Sequence, residues 1–338
     1  RAGGRVAAVI DADLQAAQRL ARKYAGALAV AGLAEALDRT PLQVLHLCTP
    51  TATHAPLSQA ALEVGLHVMV EKPAAESAAQ TAQLAAGAQA HGRLICPVHQ
   101  FCFQRGVAQA RRRLPRLGRL VRWRFVIQSA GGAGRGAVEA DRIAGEILPH
   151  PLALLAALYP SGLAGIAWGG AHPQPGELRV LGEGSDGSVS VEISLAGRPP
   201  LNTLEIVGAN GSLRLDLFHG YAYALAGGAS KLHKIVRPFE IGAKEVGAAA
   251  TNLTRRMVTG ETAYPGLRAL VQAFYRAVQT GTASPIAPDA MIAVAAARDE
   301  ILGAVRTHAA VSHAAAPHAA ALQAIDQQAI YLAERGAL

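Results

Sequence analysis

Val44–Pro73 reads VLHLCTPTATHAPLSQAALEVGLHVMVEKP, and this stretch decides the fold. Val44 to Cys48 is a short apolar run stopped by Thr49-Pro50, the pattern of a strand buried on both faces of a parallel sheet. Thr53 to Val64 places Ala55, Gln59 and Leu62 at helical intervals, Gly65 supplies a stop, and His67 to Val70 is again strand-like. The spacing predicts a βαβ unit whose second strand delivers Glu71, Lys72 and Pro73 at its carboxyl end. Ligands of open α/β sheets bind beyond those ends, so Thr49–His54 and Glu71–Pro73 are expected to face one crevice.

Working outward, Arg5–Ile10 predicts a strand closed by Asp11, followed by a helix over Asp13–Tyr24. Ser77–His91 predicts a helix, and Leu94–Val98 a strand that ends at His99-Gln100. From Leu117 to Ala130 the residues alternate, with Trp123, Phe125 and Ile127 on one face and Arg122, Arg124 and Gln128 on the other. Short alternating runs recur at Leu163–Trp168, Glu177–Leu181, Ser188–Leu195, Thr203–Val207 and Ser212–Leu217, and Asn210-Gly211 marks a hairpin. Gly266–Thr280 and Asp289–Val305 carry helical spacing. The fold class is α/β: an N-terminal Rossmann-like parallel sheet and a C-terminal α+β domain with a mostly antiparallel sheet. We expect an incomplete dinucleotide-binding domain over 1–115, a substrate and oligomerisation domain over 116–308, and an alanine-rich tail over 309–338.

Composition narrows the function classes. Cys48, Cys96 and Cys102 are odd in number and include no C-x-x-C, which argues against a disulfide framework or a zinc site. With no signal-peptide pattern at the start, a cytoplasmic location is expected. The net charge of +8 gathers around Arg111, Arg112, Arg113, Arg116, Arg119, Arg122 and Arg124, yet aromatic residues are scarce and no nucleic-acid motif occurs, so a solvated basic face is expected rather than nucleic acid. The uncharged interval between Glu146 and Glu177 is long enough to cross a bilayer, but Pro149, Pro151, Pro160 and several glycines cut it into shorter pieces. Gly131–Gly136 leads into no lysine-threonine pair and reads as a flexible loop, not a phosphate loop. On one helix His308, His313 and His318 would diverge, so no metal site is expected.

Thr49-Pro50-x-x-x-His54, about sixteen intervening residues, then Glu71-Lys72-Pro73, together with Gly145-Glu146 and His150, resembles the Gfo/Idh/MocA oxidoreductases, the family of glucose-fructose oxidoreductase and inositol dehydrogenases. The resemblance runs from about Val6 to Val305. It implies a cofactor, NAD or NADP, held by Asp11, Thr49, Pro50, Thr51, His54, Glu71, Lys72 and Pro73. Asp11 matches the acid that accepts the ribose hydroxyls, while an acid there also suits a cap for the next helix. It implies catalysis by Lys72, His150 and Glu146, with His150 as base and Lys72 stabilising charge on the reacting oxygen. His99 and Gln100 match substrate-facing positions, although His99 also suits a packed crevice wall, and a family arginine falls on Cys102.

Four residues apart on a helix, Glu146 and His150 would share a face and pair. Pro149 and Pro151 leave two alternatives: one kinked helix, or a turn with a fresh helix at Pro151. The expected reaction is hydride transfer between nicotinamide and a secondary alcohol of a sugar, inositol or related polyol, in a homo-oligomer formed through the C-terminal sheet. A catalytically silent sensor subunit and an NAD-dependent glycoside hydrolase are the alternatives. The sequence opens where the second strand of a Rossmann unit is expected, and Gly3 and Gly4 precede a strand instead of following one. The first strand and Gly-rich loop are thus lacking, roughly thirty residues, and N-terminal truncation is expected in preference to a lost phosphate cradle.

Overall fold

A computed structural model of the chain describes residues 3–228, 230–261 and 263–307, without the side chains of 232 and 233. His308, His313, His318 and the tail over 309–338 lie outside the described residues. The N-terminal half alternates strand and helix: β1 (Ala8–Ile10), α1 (Leu14–Ala21), β2 (Leu28–Val30), α2 (Leu33–Arg39), β3 (Val44–Leu47), α3 (His54–Glu63), β4 (His67–Val70), α4 (Ala78–Ala90) and β5 (Ile95–Pro97). All of its strand pairs are parallel, β1 with β2 and β3-β4-β5 in that order.

Local chemistry fixes these elements. Asp13 caps α1 by accepting from the Gln15 amide at 2.9 Å, and Ser77 caps α4 through the Gln80 amide at 3.2 Å. After α3, Gly65 stands at φ +82, a left-handed conformation that ends the helix at little cost only without a Cβ. β4 is the buried strand, with Val68, Met69 and Val70 at 2 % exposure or less. The expectation that the Val44 strand is covered on both faces is corrected. β3 bonds to β4 on one side only, and His46 is exposed while Leu47 alone is buried.

α5 (Arg105–Arg113) leads into β6 (Leu120–Gln128), and α6 (Ala137–Ile147) and α7 (Pro149–Leu158) follow. Then come β7 (Ala167–Ala171), β8 (Glu177–Glu183), β9 (Ser188–Ser194), β10 (Leu201–Gly208), β11 (Gly211–Asp216) and β12 (Tyr221–Ala226). They form one sheet in the order β12-β11-β10-β6-β9-β8-β7, antiparallel except for β6 beside β9. As the alternation predicts, Trp123, Phe125 and Ile127 point inward, where they share a core with Leu152, Leu154 and Leu155 of α7. The apolar α7 spans only 10 residues, too few for a bilayer. Among the described residues no helix is long and apolar enough to cross a membrane.

A long helix, α8 (Lys231–Thr259), follows β12, and α9 (Leu267–Thr280) and α10 (288–307) close the described chain. Leu270 and Phe274 of α9 pack on Met69, Cys96 and Val98, so the C-terminal helices return to cover the parallel half. Gly266, at φ +89, lets α9 start against the segment after β5, for a Cβ there would sit 2.3 Å from the Gln100 carbonyl oxygen.

Candidate active site

The carboxyl ends of β3 and β4 are tied together by one buried ring. His54 is 1 % exposed, and its Nδ1 and Nε2 lie 2.8 Å from the carbonyl oxygens of Pro73 and Thr49. This corrects the expectation that His54 touches cofactor: with both nitrogens engaged in backbone contacts, it ties together the two loops expected to line the crevice. Thr53 Oγ1 donates to Thr49 Oγ1 at 2.7 Å and fixes the turn between them. Asp11 ends β1 in the open and accepts the Asp13 amide at 2.9 Å, so Asp13 is the helix cap and one Asp11 oxygen is committed to the turn before it.

Lys72 leaves the end of β4 and crosses to the other half of the molecule. Its Nζ donates to the Glu146 carbonyl oxygen at 3.1 Å. That oxygen lies at the junction where α6 stops at Ile147 and α7 begins at Pro149, and prolines 149 and 151 supply no amide protons to the Gly145 and Ile147 carbonyls on either side of it. The geometry lies between the two alternatives from sequence: consecutive helices joined at Leu148, with His150 in the first turn of the second. The expected Glu146–His150 pair is absent. The Glu146 carboxylate turns back one helical turn to Arg142, whose guanidinium also holds Glu139 at 2.7 Å.

Three nitrogen bases therefore meet. Burial and the Lys72 charge hold His99 down to about 4. Burial, Lys72 and then His99 push His150 well below the ordinary histidine value of 6.5. The Lys72 ammonium is itself lowered by burial, with Glu71 and Glu146 opposing that shift. Nδ1 of His99 and Nδ1 of His150 are sealed from solvent without a hydrogen-bond partner, as is Oε1 of Gln100. Phe101, which the sequence reading did not select, lies against the His150 ring with centroids 4.6 Å apart. Only its place two residues after His99 could have pointed to it.

Cys102, standing where the family arginine is expected, hydrogen-bonds the Ala153 carbonyl at 3.4 Å, and burial pushes its thiol up to about 12. It packs α7 and carries no anion-binding charge. A cavity of about 440 Å³ opens beside His99 between Cys102, Ala153 and Ile286, and a larger one of about 670 Å³ lies between α5 and α8. Neither is lined by Lys72 or His150, so the reacting centre is defined by the converging side chains and not by these hollows. No group of three or more metal-ligating side chains occurs among the described residues.

Parallel strands with side chains gathered beyond their carboxyl ends are the arrangement in which open α/β sheets bind ligands. Residues 1–99 match the model of the Gfo/Idh/MocA oxidoreductase family, NAD-binding Rossmann fold. The 4-carboxy-2-hydroxymuconate-6-semialdehyde dehydrogenase of Sphingobium sp. (strain NBRC 103272 / SYK-6) is 32% identical over 115 residues, 31% of this chain and 36% of the relative. The chain matches only about a third of that relative's length. Among solved structures, the WlbA dehydrogenase of Bordetella pertussis in complex with NADH and UDP-GlcNAcA aligns with TM-score 0.70 and 14% identity, covering 90% of this chain and 88% of that one. The 3-ketoreductase KijD10 of Actinomadura kijaniata in complex with NADP gives 0.66 and 16%, covering 89% of each chain. At such identities these two structures establish a common fold.

Proposed function

We propose that the chain is an NAD(P)-dependent oxidoreductase that moves a hydride between nicotinamide and a secondary alcohol or its ketone on a sugar or related polyol. The observation that carries this reading is the meeting of Lys72 with the start of α7, where its ammonium is close enough to depress His150. Nδ1 of His99 and Oε1 of Gln100, buried with no protein partner, support a polar ligand site beside Lys72. Thr49, Pro50, Thr51, Glu71, Lys72 and Pro73 would hold that end of the cofactor and Asp11 the ribose. NAD and NADP both remain compatible with this crevice.

The bound nicotinamide supplies the hydride acceptor or donor. In alcohol oxidation the neutral His150 ring takes the hydroxyl proton, since depression of its pKa keeps the accepting form populated at neutral pH. Lys72 hydrogen-bonds the same oxygen and stabilises its developing negative charge. Glu146 acts through its backbone, by fixing the Lys72 ammonium, and His99 with Gln100 orients the substrate. The name of one structural neighbour, solved with UDP-GlcNAcA, supports a sugar-linked substrate.

The test is formation of reduced nicotinamide by the full chain with NAD or NADP and a panel of polyols, sugars and nucleotide sugars. Turnover lowered by about a hundred-fold or more in Lys72→Met and in His150→Asn, with folding unchanged, is the expected result; unchanged turnover in both variants refutes the mechanism. A silent binding subunit is favoured by one feature, the diversion of the Glu146 carboxylate to Arg142. Cofactor binding without turnover across the panel would select it.

A further inference from the structure

α8 presents its polar side to its own protein and its apolar side to solvent. Lys244 Nζ donates to the Ala224 carbonyl at 2.9 Å, Asn252 Nδ2 to the His219 carbonyl at 2.9 Å, and the Tyr223 hydroxyl to Glu245 at 3.3 Å. Opposite these anchors run Val236, Phe239, Ala243, Val246, Ala250, Leu253 and Met257. Their spacing alternates three and four residues throughout, the heptad seam of a helix that pairs with another helix. Phe239 is 78% exposed, Val246 69%, Leu253 59% and Met257 66%. No seam position carries a charge.

From these observations we infer that α8 is a self-association surface, on which a second copy of the chain lays its own α8 antiparallel about a two-fold axis between residues 244 and 245. In that register Phe239 faces Ala250, Val246 faces Ala243, and Leu253 faces Val236. Every layer sets a larger side chain against a smaller one, so the seam is complementary to itself. The large seam residues expose on the order of 600 Å² per protomer, about 1,200 Å² over the pair, which reaches the lower bound of stable specific interfaces. The outer face of the sheet, where the family resemblance places the oligomer, is charged instead of apolar along these strands. Arg122, Arg124 and Arg214 cover it in ion pairs with Glu205 and Glu192.

Sedimentation equilibrium of the full chain across the micromolar range tests this. The expected result is a dimer whose dissociation constant rises about a hundred-fold or more with Val246→Glu, because the two-fold axis buries the new charge twice. Leu253→Glu should act likewise, while Arg124→Glu on the sheet should not. Circular dichroism should stay unchanged, since the seam faces solvent in each protomer, and melting should fall only by the concentration-dependent part that dimerisation adds. Phe239→Cys combined with Ala250→Cys should give a disulfide between protomers, the two sites being about 16 Å apart along one helix. A monomeric wild type overturns the inference, as does a dimer indifferent to both glutamates or broken only by Arg124→Glu. So does a dimer that appears only when residues 308–338 are removed, which would assign the seam to the chain's own tail. Val246-dependent binding to phosphatidylserine vesicles by a chain that never dimerises would assign it to a lipid surface.

Discussion

Two groups of charged side chains in this molecule behave in opposite ways. On the outer face of the C-terminal sheet every arginine named above has a carboxylate partner: Arg124 with Glu192 at 3.0 Å, Arg122 and Arg214 with Glu205 at 3.1 Å. In the crevice Lys72, His99 and His150 are gathered with no carboxylate bonded to any of the three side chains, and Lys72 rests on a backbone carbonyl. Paired charges at a surface are close to neutral in energy because water already solvates both partners. Crowded, desolvated bases are costly, and that cost is expressed as shifted proton affinities, which are useful for moving a proton. The difference separates charge held in solvated pairs from charge held in a desolvated cluster.

The sharpest way to break the comparison is to remove the crevice charge. Lys72→Met should lower turnover by roughly 10²–10³, the range for loss of a donor to a developing oxyanion, without loss of folding stability in urea melts. His150→Asn should cost about 10²–10⁴ in turnover. In the wild type the acid limb of the rate profile should lie below pH 6.5 and the alkaline limb, where Lys72 loses its proton, below 10.5. An acid limb at or above 6.5 would mean that His150 is not the base or is not depressed.

Next in size is an effect on stability. His99, 4 % exposed, is held at about 4 in the fold against 6.5 when unfolded. The unfolded chain therefore binds the extra proton first as pH falls, and folding stability is lost between about pH 6.5 and 4 and levels off below. The loss should be on the order of 3 kcal/mol. His99→Gln should make that slope shallower in urea melts between pH 7 and 4, leaving the share that belongs to His150, and an unchanged slope would show that the His99 ring is charged in the fold.

How much of this was legible follows from where the determining interactions lie. The parallel units and the inward face of β6 were readable because each depends on a periodicity carried by neighbouring residues. Lys72 and His150 were readable through the motif that carries them, and their convergence could only be expected. The Glu146–His150 pair failed because helix spacing holds only while the ladder is continuous, and prolines 149 and 151 interrupt it. His54 was misjudged because its partners, the carbonyls of Thr49 and Pro73, are backbone atoms that leave no trace in residue identity. α8 went unread because Pro238 and its glycines mimic a loop, and β12 because YAYALA is short and alanine-rich.

Glu146→Gln sharpens the same point with a smaller effect. If the carboxylate oriented His150, the substitution would cost orders of magnitude in turnover. Since it binds Arg142 and the lysine contact uses the backbone oxygen, turnover within about threefold of wild type is expected.

The smallest effect belongs to the sheet. Arg124 and Glu192 meet diagonally across the parallel β6–β9 pair, with side chains 49% and 35% exposed. An ion pair this wet gains little beyond what water offers each partner and spends side-chain entropy to form, so Arg124→Ala should change unfolding free energy by less than about 1 kcal/mol. A double-mutant cycle with Glu192→Ala isolates the pair from the packing of the arginine stem on the strand, and raising the salt should erase the coupling that remains. A coupling well above 1 kcal/mol that survives salt would place this pair with the crevice bases, as a desolvated interaction, and would remove the distinction between the two regions.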